Sequence, residues 1–194
     1  MATANTVTVV GAGGLASEVT AYLQRAGILV LALLDREPGP PIHGVPVVAQ
    51  VPDGTPLVHG IGDGRVRQRL QDQGGNWFTF TCNSFTGPRC HVDVGTVICP
   101  GVILTADVTV GRGGLVNLAA TLGHGTTAGD WLTVHPGANI SGNVTLGNHV
   151  TVGSNATILP DLSICDDVTL GAGTVVTRSI LEPGTYVGVP ARKL

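Results

Sequence analysis

Charge is scarce in this chain, and so are aromatic rings. Only 12% of the 194 residues are Asp, Glu, Lys or Arg, and only 4% are Phe, Trp or Tyr. With a net charge of −3, the chain does not suggest a nucleic-acid surface, which needs clustered cations. The shortage of rings argues against a core built on large side chains. The four cysteines, Cys82, Cys90, Cys99 and Cys165, lack any C-x-x-C spacing. They read as reduced thiols in a cytoplasmic protein. No apolar run is long enough to span a bilayer. The first residues, MATANTVTVVGAGG, have no basic segment, and glycines cut their apolar run, so they do not read as a signal peptide.

Glycine, by contrast, is abundant, at 29 residues. It falls into a repeat that runs from Val92 to Val176. Val92, Ile98, Leu104, Val110, Val116, Leu122, Ala128, Val134, Ile140, Leu146, Val152, Ile158, Ile164, Leu170 and Val176 occupy every sixth position, and all are aliphatic. Four residues after each stands a second, mostly small residue, such as Val102, Ala120, Ala138 or Ala156. The residue just after the aliphatic one is often Gly or Asn: Gly111, Asn117, Gly123, Gly129, Gly147, Gly153, Gly171. These are expected to supply the positive φ that tight corners need. A helical period of 3.6 cannot hold one position in phase with six for so long. The pattern predicts a parallel β-helix in which three sixes make one triangular coil. A narrow prism of this kind takes Val, Ile, Ala and Thr, which accounts for the missing rings.

The first part of the chain reads differently. Thr6 to Val10 is a buried strand, followed by Gly11-Ala12-Gly13-Gly14 and a helix from Leu15 to about Ala26. Ile28 to Leu34 is a second strand, closed by Asp35. Val45 to Val48 is extended, Leu57 to Ile61 is a third strand, Gly64 to Gln73 an Arg-rich helix, and Trp77 to Thr81 a fourth strand. Strand–helix alternation predicts a parallel sheet. Gly11-x-Gly13-x-x-Ala16 between a strand and a helix matches the dinucleotide fingerprint, with Asp35 placed to accept hydrogen bonds from a ribose or base. A full dinucleotide fold needs two halves, and there is room for little more than one. A nucleotide-linked ligand, NAD and a purely structural turn are the three readings. The domains are expected at 1–82, a Rossmann-like α/β half-domain, and 83–194, the β-helix with its carboxy-terminal tail.

Titratable groups are sparse within the repeats. His124 lies two positions after Leu122, at an outward point. Counting eighteen per coil places Gly142 directly above it and Ala106 below, with Asp107 under Gly125. A histidine beside a bare peptide N–H suits acyl transfer: the imidazole takes a proton from the nucleophile, and the N–H stabilises the oxyanion as a thioester is attacked. Pro136, Ser154 and Ala172 stack on an adjacent face, as small residues suited to a long flexible ligand. The count puts His124, His135 and His149 on three different faces, so no metal site is expected within one chain. Arg178, Arg192 and Lys193, near the chain's end, either cap an open prism or touch a cofactor's phosphates.

These residues resemble the hexapeptide-repeat sugar acetyltransferases. The closer likeness is to the sialic acid O-acetyltransferase and bacillosamine-pathway nucleotide-aminosugar N-acetyltransferase group. It is carried by Val9-Val10-Gly11-Ala12-Gly13-Gly14, Leu34-Asp35, His43-Gly44-Val45-Pro46-Val47, Ile61-Gly62-Asp63, Val116-Asn117, Gly123-His124, Pro136-Gly137-Ala138, Ser141-Gly142-Asn143-Val144, Ile158-Leu159-Pro160 and Gly188-Val189-Pro190-Ala191. The resemblance implies a left-handed β-helix assembled as a homotrimer, with acetyl-CoA between neighbouring prisms and a nucleotide sugar held by the first domain at Gly11, Gly13, Gly14 and Asp35. It implies His124 as general base, Gly142 as oxyanion donor, Asn117 as a substrate contact, and Ser154 and Ala172 as coenzyme contacts; Arg192 is the candidate for the coenzyme's phosphates. Three positions depart from the pattern. Gly125 stands where some members carry an acid that positions the histidine, and Asp107 or a neighbouring chain is the candidate replacement. Thr133 stands where close relatives carry a second histidine, and Leu15 where relatives often have histidine. The expected activity is acetyl-CoA-dependent acetylation of the amino group of a nucleotide-linked sugar, without a metal, for bacterial surface glycan synthesis. Sugar O-acetylation and a non-catalytic nucleotide-sugar-binding β-helix are the alternatives.

Overall fold

The computed structural model describes residues 6–194. Its first part is a five-stranded parallel sheet: β1 (Thr6–Val10), β2 (Leu29–Leu34), β3 (Val47–Val48), β4 (Pro56–His59) and β5 (Asn76–Trp77), in the order β3-β2-β1-β4-β5. Two helices connect them, α1 (Gly14–Arg25) and α2 (Gly64–Gln71). α1 buries Ala16, Val19, Thr20 and Leu23. The order reverses between β1 and β4, the point where open α/β sheets bind ligands outside the carboxyl ends of their strands. Ala16, the third position of the glycine fingerprint, is small for a visible reason. A Cβ built on Gly60, at the end of β4, would lie 2.7 Å from the Ala16 Cβ.

The run expected as one strand from Trp77 to Thr81 is divided. The Phe78 N–H bonds to Leu57 in the first sheet, whereas the Phe80 N–H bonds to Thr96 in the prism. Phe80–Thr81 therefore pairs with Val97–Ile98 and opens the β-helix.

From there two-residue strands stack in three parallel sheets, one per side of the triangle. Partners are eighteen residues apart on every side: Ile103 with Thr121, Thr109 with Thr127, Leu115 with Thr133. The predicted aliphatic column from Ile98 to Val176 is buried throughout, and Val102, Val108, Ala120, Ala138, Val144, Val150 and Ala156 fill the space between. Inward threonines keep their hydroxyls bonded to backbone: Thr96 to the Gly111 carbonyl at 2.9 Å and Thr126 to that of Ser141 at 2.9 Å.

The corner chemistry differs from expectation. Positive φ falls three residues after each aliphatic one from Val92 to Leu170, at Gly95, Gly101, Asp107, Gly113, Ala119, Gly125, Trp131, Gly137, Asn143, His149, Asn155, Asp161, Asp167 and Gly173. The glycines just after the aliphatic residue serve proximity instead. A Cβ on Gly123 would lie 2.5 Å from the Gly142 nitrogen, and one on Gly153 2.6 Å from that of Ala172. Each glycine there lets the next coil close down on it.

The tail does not simply leave the stack. Gly184–Val187 pairs in parallel with Val168–Leu170, and Arg192–Lys193 returns antiparallel to cover the end. Among the described residues no helix is long and apolar enough to cross a membrane.

A buried side chain helps to join the two parts. Arg67 of α2 is fully buried. Its guanidinium donates to the carbonyls of Ile61, Gly62, Gly113, Trp131 and Leu132 and to the Thr133 hydroxyl. Burial pushes it down to about 10, opposed by Asp63. Arg67→Ala would strand these acceptors without a donor. The expected loss is about 1–3 kcal/mol or more, read as a lower melting temperature in calorimetry; an unchanged melting temperature would deny the residue this role. His59 supplies a second check. It is stacked on Trp77 with centroids 3.9 Å apart, and burial pushes it from 6.5 down to about 3. The unfolded chain thus takes up a proton that the folded chain refuses. Its contribution is complete above pH 6.5 and is lost as pH falls toward 3, at about 1.4 kcal/mol per pH unit. Between pH 6.5 and 5, before carboxylates titrate, His59→Gln should flatten the slope of stability against pH in urea melts.

Candidate active site

His124 follows the strand Thr121–Leu122 and is exposed at an edge of the prism. Its ring lies beneath Gly142, as the eighteen-residue count requires. A Cβ on Gly142 would sit 2.6 Å from His124 Nε2 and 2.7 Å from Cε1. The glycine makes room for the imidazole.

The Gly142 N–H is set apart by comparison with another edge. There, Asx side chains cap the N–H one coil below: Asp130 takes that of Arg112 at 3.1 Å, Asn148 that of Asp130 at 2.9 Å, and Asp166 that of Asn148 at 2.7 Å. On the His124 edge, Pro160 occupies the corresponding place above Gly142 and offers no side-chain oxygen. Among the described residues nothing accepts a hydrogen bond from the Gly142 N–H. An uncapped peptide donor thus stands next to an exposed imidazole.

The third edge carries Pro136, Ser154 and Ala172. They stack as counted, with the Asn155 N–H on the Pro136 carbonyl at 3.0 Å and the Gly173 N–H on that of Ser154 at 2.8 Å. The N–H groups of Ser154 and Ala172 also lack acceptors among the described residues. One chain therefore places the His124–Gly142 pair and the Ser154–Ala172 strip on different edges. Asn117 is half-buried, and its Oδ1 accepts from the Leu118 N–H at 2.7 Å, which leaves its Nδ2 to donate outward. Arg192 lines a cavity of about 320 Å³ at the carboxy-terminal end, together with Arg178 and Tyr186.

At the sheet's switch point, Gly11 has φ +106, and a Cβ there would press on Ile61 at 3.0 Å. Gly13 caps α1 with no side-chain hydrogen bond and no acid in the first turn, and Gly13 and Gly14 both face open space. This helix start can accept an anion. α2 differs, because Asp63 caps it through the N–H groups of Arg65 and Val66. Asp35 holds the loop: its Oδ2 accepts from the Ala12 N–H at 3.0 Å and its Oδ1 from that of Glu37 at 3.3 Å. Gly11 and Asp35 line a cleft of about 510 Å³ with Ile61, Arg36, Arg69 and Gln73. The two arginines were not singled out by motif, since neither lies in a recognisable spacing.

A family model described as bacterial transferase hexapeptide (six repeats) matches residues 143–178. Among solved structures, a histidine-to-asparagine mutant of perosamine N-acetyltransferase from Caulobacter crescentus, in complex with CoA and GDP-perosamine, is 28% identical. The match covers 97% of this chain and 96% of that one, with a TM-score of 0.91. The chain carries hexapeptide repeats, and this likeness supports an acyltransferase. WeeI from Acinetobacter baumannii is 26% identical over 97% of this chain and all of that one, with a TM-score of 0.88. The acetyltransferase domain of PglB from Neisseria gonorrhoeae, at 24% identity over 98% and 100%, shares the fold with a TM-score of 0.92. A sequence search of curated proteins gives no significant match.

In this acyltransferase two expectations about side chains change. His135 and His149 were expected on separate faces, yet both line one cavity of about 440 Å³ between the β4–α2 loop and the prism, with Trp131, Thr133 and Thr151. His149 is a corner residue, and its corner abuts the side that begins with Thr151. Asp107 does not hold His124. It pairs with Arg89 through two bonds, of 2.5 and 2.7 Å, and that hydrogen-bonded guanidinium keeps its carboxyl below the usual range. Gly142→Ala tests the central geometry. The added methyl should swing the exposed imidazole off its shelf, seen as a changed His124 rotamer in a crystal structure, with little change in melting temperature because the ring can rotate away. An unmoved ring would mean that the shelf does not hold it.

Proposed function

We propose that this acyltransferase moves the acetyl group of acetyl-CoA to the amino group of a nucleotide-linked amino sugar. The observation that carries the reading is the His124 imidazole beneath Gly142, beside a peptide N–H that nothing else among the described residues uses. His124 Nε2 takes a proton from the amine as its nitrogen attacks the thioester carbonyl. The Gly142 N–H faces the negative oxygen that forms. Collapse breaks the carbon–sulfur bond, and the departing thiolate takes the proton back from the imidazolium. A placed base contributes about 10²–10⁴-fold and one oxyanion donor about 10²–10³-fold.

Acetyl-CoA lies along the edge of Ser154 and Ala172, whose free N–H groups suit the amide carbonyls of its arm, and its phosphates reach Arg192. His124 stands on another edge, so the coenzyme held by one chain meets the base of its neighbour, as in a homotrimer. The nucleotide occupies the cleft at Gly11, Gly13, Gly14 and Asp35. Each Asp35 oxygen keeps a lone pair for the base or ribose, and Arg36 and Arg69 meet the phosphates. Asn117 Nδ2 is turned toward the acceptor sugar. Residues 1–82 thereby hold the acceptor and 83–194 the donor. A related structure supports the substrate class: the Caulobacter enzyme in complex with CoA and GDP-perosamine. A role in surface glycan synthesis in the cytoplasm follows from such a substrate. Gly125, which leaves His124 without an adjacent acid, favours a non-catalytic sugar-binding protein as the second reading.

CoA release should be followed with acetyl-CoA and a panel of GDP-, UDP- and dTDP-linked amino sugars, with hydroxyl acceptors alongside. His124→Ala should lower turnover roughly a hundredfold or more while the sugar still binds. Silence with every acceptor would leave only the binding protein, and a mild effect would mean another base. Mixing His124→Ala chains with Ala172→Trp chains should recover part of the activity if the site is shared, whereas no recovery would place it within one chain.

A further inference from the structure

His124 needs a partner for its second nitrogen. Nε2 is the ring atom nearest Gly142, so Nδ1 must carry the proton if Nε2 is to act as base, and an N–H at Nδ1 needs an acceptor. Gly125 supplies none, and Asp107 is committed to Arg89. The column above Gly125 holds Asn143 and then Asp161. Asn143 Nδ2 donates to Asp161 Oδ1 at 2.9 Å. A carboxylate only accepts, so the amide nitrogen must face Asp161 and the amide oxygen must face down. That oxygen lies 2.6 Å from where a Gly125 Cβ would be. It fills the space that an acid after the histidine would enter. The Asn143 N–H also bonds to the His124 carbonyl at 2.7 Å, which ties the two residues together.

We propose that Asn143, oriented by Asp161, is the positioning residue for His124, its Oδ1 accepting from the imidazole Nδ1–H. This rests on His124 being the base. A neutral amide fixes the tautomer without adding a full negative charge beside the ring. The charged groups facing this column are Asp161 above, and Asp107 with its partner Arg89 below.

Three variants, read by kinetics, NMR and melting temperature, test this. Asn143→Ala should lower kcat about tenfold or more, the scale of one hydrogen bond to a group that becomes charged, with KM within about twofold. Long-range ¹⁵N NMR of the His124 ring should show a single Nδ1–H tautomer in the unmodified protein and a mixture in Asn143→Ala. Gly125→Asp in the Asn143→Ala background restores an acceptor. The corner admits Asp, since Asp107 and Asp161 occupy it at φ +56 and +63 in neighbouring coils. This double variant should regain much of kcat and move the acidic limb of the kcat profile upward, because a carboxylate stabilises the imidazolium. An Asn143→Ala protein with kcat and tautomer unchanged would overturn the proposal. So would one that loses melting temperature and activity together and is not rescued by Gly125→Asp. Asp161→Ala should give a weaker version of the Asn143→Ala effect. If the unmodified protein transfers no acetyl group, the functional reading fails, while the tautomer still reports whether Asn143 holds the ring.

Discussion

From Phe85 to Val176 every coil of the prism has eighteen residues, and that constancy is the constraint on which the rest depends. Backbone hydrogen bonds between coils tie each residue to the one directly above it. A side chain's neighbours are therefore set by arithmetic rather than by a folded loop. A single inserted residue would turn every later column by one position, moving aliphatic groups out and polar ones in. The same rule assigns each edge a task. One edge is sealed by Asp130, Asn148 and Asp166, which cap the amides beneath them. A second holds an imidazole under a glycine, and a third is a strip of small residues with open amides.

That arithmetic explains why the central pair could be read without coordinates. His124 and Gly142 follow from counting alone, and so does the column of Pro136, Ser154 and Ala172. The reason for each glycine could not be read in this way. Gly123 and Gly153 look like turn residues, yet they serve close approach, while positive φ falls on residues as bulky as Trp131 and His149. Composition reports that a position is small, not which contact makes it so. Asp107 is a similar case. The count placed it near the histidine, but its actual partner, Arg89, lies outside the repeat's recognisable pattern.

The first part of the chain was legible in outline, from its fingerprint and its alternating elements, with the limits of individual strands and helices off by a few residues. Its attachment was not legible. Arg67 sits in a helix with three arginines and reads as a surface cation. Only the facing carbonyls of Gly113, Trp131 and Leu132, far along the chain, make it a buried one. The arginines of the cleft, Arg36 and Arg69, were hidden for the same reason: they converge through the sheet order, which a linear pattern does not display.

The burial of Arg67 bears on how an acceptor could be delivered. Its six bonds span the start of α2 and two successive coils, so the sheet is bolted to the prism rather than hinged on it. A swinging arm is not available to carry a bound molecule toward the imidazole. If the cleft holds the acceptor as proposed, distance must then be covered by the guest itself, and the scaffold acts as a ruler, favouring molecules whose own length spans the gap from cleft to edge.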